Sequence, residues 1–194
     1  MIRECRRAVL ALSIALSVAA AVPAASGAPG PDVGEPGPEH RTLDALVGDW
    51  DVRLEIPAGP GRKASGAAAC EAKWVLDGRF VRLEYSSTIG GKPFTVVRYV
   101  GFDRLRGKFV EVHFESTHTD VMNSDGDLSG DGRTITCWGT HVEGTSGRPM
   151  RVRTVTRIAG VDAFDLEMTY VGADGRDEKC ITLSHRRKRK EADK

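Results

Sequence analysis

The chain has 194 residues, 40% of them hydrophobic and 28% charged, with a formal net charge of +1. That is enough for one domain with a sizeable core, and nothing in the composition demands a second. The charge balance lacks the strongly basic footprint of a nucleic-acid binder, so no nucleic-acid partner is expected.

Arg3, Arg6 and Arg7 precede an unbroken apolar run from Ala8 to Val22 that ends in Ala24, Ala25, Ser26 and Gly27. This pattern predicts a signal peptide over residues 1–27, too short in its apolar part to span a bilayer. Polar residues that usually flank a twin-arginine pair are missing around Arg6 and Arg7, so the general secretory route to the periplasm or the exterior is expected. Cleavage after Gly27 removes three arginines and one glutamate, taking the formal charge from +1 to −1. Cys5 lacks the small-residue context of a lipoprotein cysteine, so no stable membrane anchor is expected after cleavage.

Residues 28–38 carry several Pro and Gly and no apolar period, which predicts a flexible lead. The folded domain is expected over residues 39–186. Leu43, Leu46 and Val47 fall on one helical face between Pro38 and Gly48, as in a short capping helix. After Gly48 the period changes to two, with Trp50, Val52, Leu54 and Ile56 alternating with charged residues, which is a half-buried strand.

Turn signals then recur at intervals of roughly 13 to 16 residues: Asp77-Gly78, Gly90-Gly91, Asp103 to Gly107, Asp131-Gly132, Gly144 to Gly147, Gly160 and Asp174-Gly175. Between them lie β-rich runs at Ala67 to Val75, Phe80 to Tyr85, Phe94 to Phe102, Phe109 to Phe114, Thr119 to Ser124, Thr134 to Thr140, Met150 to Ile158, Phe164 to Tyr170 and Cys180 to His185. With the first strand that makes about ten, and no second helix long enough for a parallel crossover. An all-β, closed antiparallel up-and-down β-barrel is expected, because closure removes exposed edges; two packed sheets are the alternative. Residues 187–194 read as a basic, solvated tail, an anionic surface being its alternative role.

Cys70, Cys137 and Cys180 remain beyond the leader. They lack the paired spacing of a zinc site, and alternation points Cys70 and Cys137 inward and gives Cys180 the parity opposite to Ile181 and Leu183, so buried free thiols and no disulfide are expected.

Several runs carry a family resemblance: Pro36-Gly37-Pro38-Glu39-His40-Arg41-Thr42-Leu43, Leu46-Val47-Gly48-Asp49-Trp50-Asp51, Trp74-Val75-Leu76-Asp77-Gly78-Arg79-Phe80, Gly91-Lys92-Pro93-Phe94 and Val155-Thr156-Arg157-Ile158. In order and spacing the chain resembles, from about Pro36 to Arg186, the bacterial family known as domain of unknown function 1579. The resemblance implies a calycin-like barrel and no established activity. Gly48-x-Trp50 also resembles the lipocalin signature, which implies a tryptophan plugging one end of the barrel. In lipocalins an arginine at the end of the last strand lies across that tryptophan, and Arg186 is placed for the role.

Chemical motifs are sparse. His113, Glu115 and His118 form an H-x-E-x-x-H string that would suit a metal, but Val110, Val112 and Phe114 supply the apolar face and put His113 and Glu115 outward. His185 invites comparison with the haem-binding nitrobindins, barrels that hold iron through one histidine; an exposed strand-end histidine is the plainer expectation. No nucleophile elbow, phosphate loop or dinucleotide fingerprint is present, so no catalytic residue and no cofactor are assigned. Arg98 shares parity with Phe94, Val96, Val100 and Phe102 and is the best candidate for a polar group inside, either as part of an ion pair or orienting a ligand's carboxylate. The leading functional expectation is an exported barrel that binds a small apolar or amphipathic molecule through Trp74, Tyr85, Phe94, Arg98 and Met168. The alternatives are a haem or metal barrel with redox or isomerase activity, using His185 or the His113 and His118 pair, and an envelope interaction module with a filled core.

Overall fold

The computed structural model describes residues 33–59, 61–142, 147–172 and 175–189; the expected leader, the first part of the lead, the end of the basic tail and the side chains of residues 178–180, including that of Cys180, lie outside this description. Pro38 opens a 3-10 helix, Pro38–Leu46, where its missing N–H costs nothing. The Gly37 N–H donates to His40 Nδ1 at 3.0 Å, satisfying one of the donors a helix start leaves over. Leu43 and Leu46 on its inner face are fully buried, each contributing about 2 kcal/mol by leaving water.

Ten strands follow: β1 Gly48–Pro57, β2 Lys63–Val75, β3 Phe80–Ile89, β4 Lys92–Asp103, β5 Lys108–Glu115, β6 Met122–Leu128, β7 Thr134–Val142, β8 Pro149–Gly160, β9 Ala163–Val171 and β10 Asp177–Arg187. Each pairs antiparallel with its neighbours in sequence, and β1 pairs with β10 to close the barrel. The expected closed meander is therefore the fold.

Strand β6 lies further along the chain than the expected Thr119 to Ser124. Asp125-Gly126-Asp127 has little β propensity, but the barrel wall requires a glycine there. A Cβ on Gly126 would sit 1.8 Å from the Thr136 carbonyl oxygen, so only hydrogen lets β7 approach so closely. Strand β10 likewise runs through Arg187, which charge alone assigns to the tail.

Candidate functional site

The inward-facing residues fill one half of the interior and leave the other open. Toward the helix, Trp50, Val52, Cys70, Ala72, Val81, Leu83, Val100, Phe109, Ile135, Cys137 and Phe164 are buried in one cluster with Leu43 and Leu46. The Trp50 indole donates to the Leu46 carbonyl at 2.9 Å and meets the Phe164 ring edge-on at 4.9 Å. This end is plugged. Toward the other end lies a cavity of 190 Å³, walled by Leu54, Ile56, Ala68, Ile89, Phe94, Val96, Leu166, Met168, Ile181 and Leu183, with Tyr85, Ser87, Arg98, His113, Glu115 and Tyr170 as its polar members. A hollow of 630 Å³ over Gly66 and Ala67 is larger but lies on the outer face, as its lining by Asp51, Arg53 and Arg186 shows.

The charged and imidazole members, Arg98, His113 and Glu115, stand together on β4 and β5, with Tyr85 and Ser87 on β3 and Tyr170 on β9. Arg98 and Glu111 are each 2% exposed and form an ion pair through Arg98 Nη2 and Glu111 Oε1. Arg98 Nη2 also donates to Thr156 Oγ1 at 3.1 Å, while Glu111 Oε2 accepts from Thr154 Oγ1 at 2.8 Å and Ser124 Oγ at 3.3 Å. Burial opposes the Arg98 charge, but the Glu111 carboxylate outweighs it and raises the guanidinium pKa. Arg98 Nη1 is buried and has no hydrogen-bond partner among the described residues. Directly across the strand pair from Arg98 stands His113, whose Nδ1 is likewise buried without a partner among the described residues.

His113 Nε2 faces Glu115 Oε2 at 3.8 Å, and His118 Nδ1 hydrogen-bonds Glu115 Oε1. The nearby His113 ring, with the hydrogen bonds from His118 and Thr117, holds the Glu115 carboxyl down at about 2. Beside them His141 Nδ1 lies 3.0 Å from Asp120 Oδ2, and its ring meets Tyr170 at 5.6 Å. Both histidines of the H-x-E-x-x-H string thus contact Glu115, and among the described residues no set of three metal-ligating side chains is arranged to hold an ion.

His113 and Glu115 therefore point inward, a correction to the outward face that alternation with Val110, Val112 and Phe114 predicts. The register decides it: Phe102 pairs with Phe109, and Arg98 with His113, so residues opposite inward-facing positions of β4 must themselves face inward. Phe114, 40% exposed, lies outside against Tyr99. The turn from Asp103 to Gly107 together with the inward parity of Phe102 carries this signal in the sequence. Glu111, which completes the Arg98 pair, escapes notice for the same reason.

Of the five residues expected to line a binding cavity, Tyr85, Phe94, Arg98 and Met168 do line it. Trp74 does not: its indole donates to Asp44 Oδ1 at 2.9 Å beside the 3-10 helix, at the plugged end. His185 is not an exposed strand-end histidine but fully buried, stacked on Phe164 at 3.8 Å with its Nε2 hydrogen-bonded to the Tyr85 hydroxyl at 3.1 Å. Burial lowers its pKa to about 3. Its ring lies in the packed half, beneath the cavity, with one face occupied by Phe164, so it is not presented to a haem.

Arg186 does not cover Trp50; Arg187 does, with its guanidinium carbon 4.3 Å from the ring centroid. Trp50 and Arg187 are direct cross-strand partners, and Arg187 has the inward parity of Ile181, Leu183 and His185, while Arg186 points outward, 4.0 Å from Asp165. Arg187 Nη1 also donates to the Val47 carbonyl at 3.0 Å, and Nε to that of Val161 at 2.8 Å.

Residues 35–187 match the family described as "Protein of unknown function (DUF1579)". The chain belongs to this family. No curated protein matches it. Among solved structures it is similar to that of Rv2717c from M. tuberculosis, at 15% identity and a TM-score of 0.55, covering 80% of this chain and 100% of that one. A redesigned beta barrel aligns at 14% identity and a TM-score of 0.42, covering 77% of this chain and 96% of that one. The Rv2717c likeness supports the barrel fold alone.

The wall of this DUF1579 barrel also holds its thiols. Cys70 and Cys137 are free and buried, as their parity predicts. Burial pushes the Cys70 thiol up to about 12 and that of Cys137 higher than its ordinary value, which makes both poor nucleophiles.

Proposed function

We propose that this barrel binds a small, mainly apolar molecule in its open half. The observation that carries this is the 190 Å³ cavity, apolar on most of its wall and flanked on one side by Arg98 and His113. A dry apolar cavity of about 150 Å³ already admits benzene, so the space suits a ligand of about ten heavy atoms rather than a lipid or a macrocycle. The plugged end provides a rigid floor, and the polar side supplies orientation. We further propose that residues 1–27 direct export and that the mature barrel works in the periplasm or outside the cell, which N-terminal sequencing of the protein from fractionated cells checks.

Native mass spectrometry of the protein purified from its own organism tests the binding. A discrete added mass lost on denaturation is expected. Bare protein, together with no response of the Met168 methyl resonance to small aromatic molecules, overturns the proposal and favours an interaction module.

A further inference from the structure

Arg98 and His113, which both line the cavity, each carry a buried nitrogen, Nη1 and Nδ1 respectively, that has no hydrogen-bond partner among the described residues. The two residues are paired directly across β4 and β5, so one small group can meet both nitrogens. Their hydrogen-bonding roles differ. A guanidinium nitrogen only donates. His113 turns Nε2 toward the Glu115 carboxylate at 3.8 Å, which favours the tautomer with its proton on Nε2, and in that tautomer Nδ1 is an acceptor.

Charge narrows the ligand further. The Arg98 charge is already balanced by Glu111 in a pair that is 2% exposed on both sides, and Glu115 adds a second carboxylate to the same wall. A carboxylate ligand would bury a third negative charge against one guanidinium, which costs more than its hydrogen bonds return. A purely apolar ligand would leave both buried nitrogens without partners.

We infer that the cavity takes an uncharged alcohol or phenol, whose hydroxyl oxygen accepts from Arg98 Nη1 and whose hydroxyl proton goes to His113 Nδ1. This rests on the cavity being a binding site and adds the class of ligand. It differs from the acid that a lone arginine in an apolar barrel suggests, because Glu111 changes the sign of what the site still needs.

The test is a matched series of similar size, 1-phenylethanol, acetophenone, ethylbenzene and benzoate, titrated at neutral pH and followed by the Met168 methyl resonance. 1-Phenylethanol is expected to bind about tenfold more tightly than ethylbenzene, with acetophenone between them and benzoate weakest. In His113→Leu the alcohol is expected to fall to the affinity of the ketone, with ethylbenzene unchanged. Because Arg98→Met alone strands Glu111, the second variant is Arg98→Met/Glu111→Leu, in which the alcohol is expected to lose its advantage over ethylbenzene. Benzoate binding tightest, or alcohol no tighter than ethylbenzene, overturns the hydroxyl assignment and leaves the binding cavity standing. Failure of all four to bind overturns both.

Discussion

Arg98 illustrates how one side chain joins stability to the site. Its guanidinium and the Glu111 carboxylate are both out of water, so neither is tolerable without the other. Arg98→Met is expected to cost about 3–5 kcal/mol in urea denaturation, since it strands a buried carboxylate, whereas Arg98→Met/Glu111→Leu recovers most of that loss. Equal destabilisation of the single and double variants would show that the pair is not the reason. His185 makes a separate prediction, about pH. Folded, it resists protonation down to about pH 3, while the unfolded chain protonates near 6.5. As pH falls below 6.5 the unfolded state therefore binds the extra proton, and stability declines in that direction; it is fully regained above 6.5. The expected loss is roughly 1 kcal/mol per pH unit between 6.5 and about 4.5, before carboxylates contribute. His40, also lowered by burial, acts in the same direction. Denaturation across that window should be visibly flatter for His185→Leu, and an unchanged slope would remove His185 as its origin.

At the scale of elements, the end of β10 locks the start of β1. Arg187 lies over the Trp50 ring and donates to carbonyls of Val47 and Val161, tying the segment after the 3-10 helix to the β8–β9 turn. Gly48 makes this possible, with φ of 138° and a hydrogen where a Cβ would meet Arg187 Nη1 at 2.1 Å. Lysine keeps the charge but lacks the planar fork, so Arg187→Lys is expected to lower stability by about 1–2 kcal/mol. Arg186→Lys, on the outer face, is expected to leave the melting temperature unchanged; the reverse ranking would refute the closure described here. Gly48 and Trp50 are recognisable in the sequence as a plug, but the partner arginine is not, because two adjacent arginines follow His185 and only the β1–β10 register separates them. Strand β5 carries the same lesson. Its outward Val110, Val112 and Phe114 look like a core face in isolation, and its inward Glu111, His113 and Glu115 look like a solvated one.

For the molecule as a whole, the difference between a binding barrel and a filled one is volume. Ala68 is a small residue on the cavity wall, and Ala68→Leu adds methylenes where there is space to receive them. The variant is expected to lose at least tenfold in affinity for 1-phenylethanol while gaining up to about 1 kcal/mol of stability. Destabilisation by 1–3 kcal/mol would instead mark a site already packed. The sequence by itself determined the all-β class, the meander of about ten strands, the buried cysteines and the inward place of Arg98, because turn chemistry and the two-residue period are local properties of the chain, while the plugging role of Trp50 came from the resemblance of Gly48-x-Trp50 to the lipocalin signature. Only the tertiary structure decided that β5 turns its polar side inward, that Glu111 neutralises Arg98, that His185 is stacked in the core and that Arg187 covers Trp50. Those facts depend on register between strands and on which half of the barrel the side chains fill, and neither is written in the alternation of any single strand.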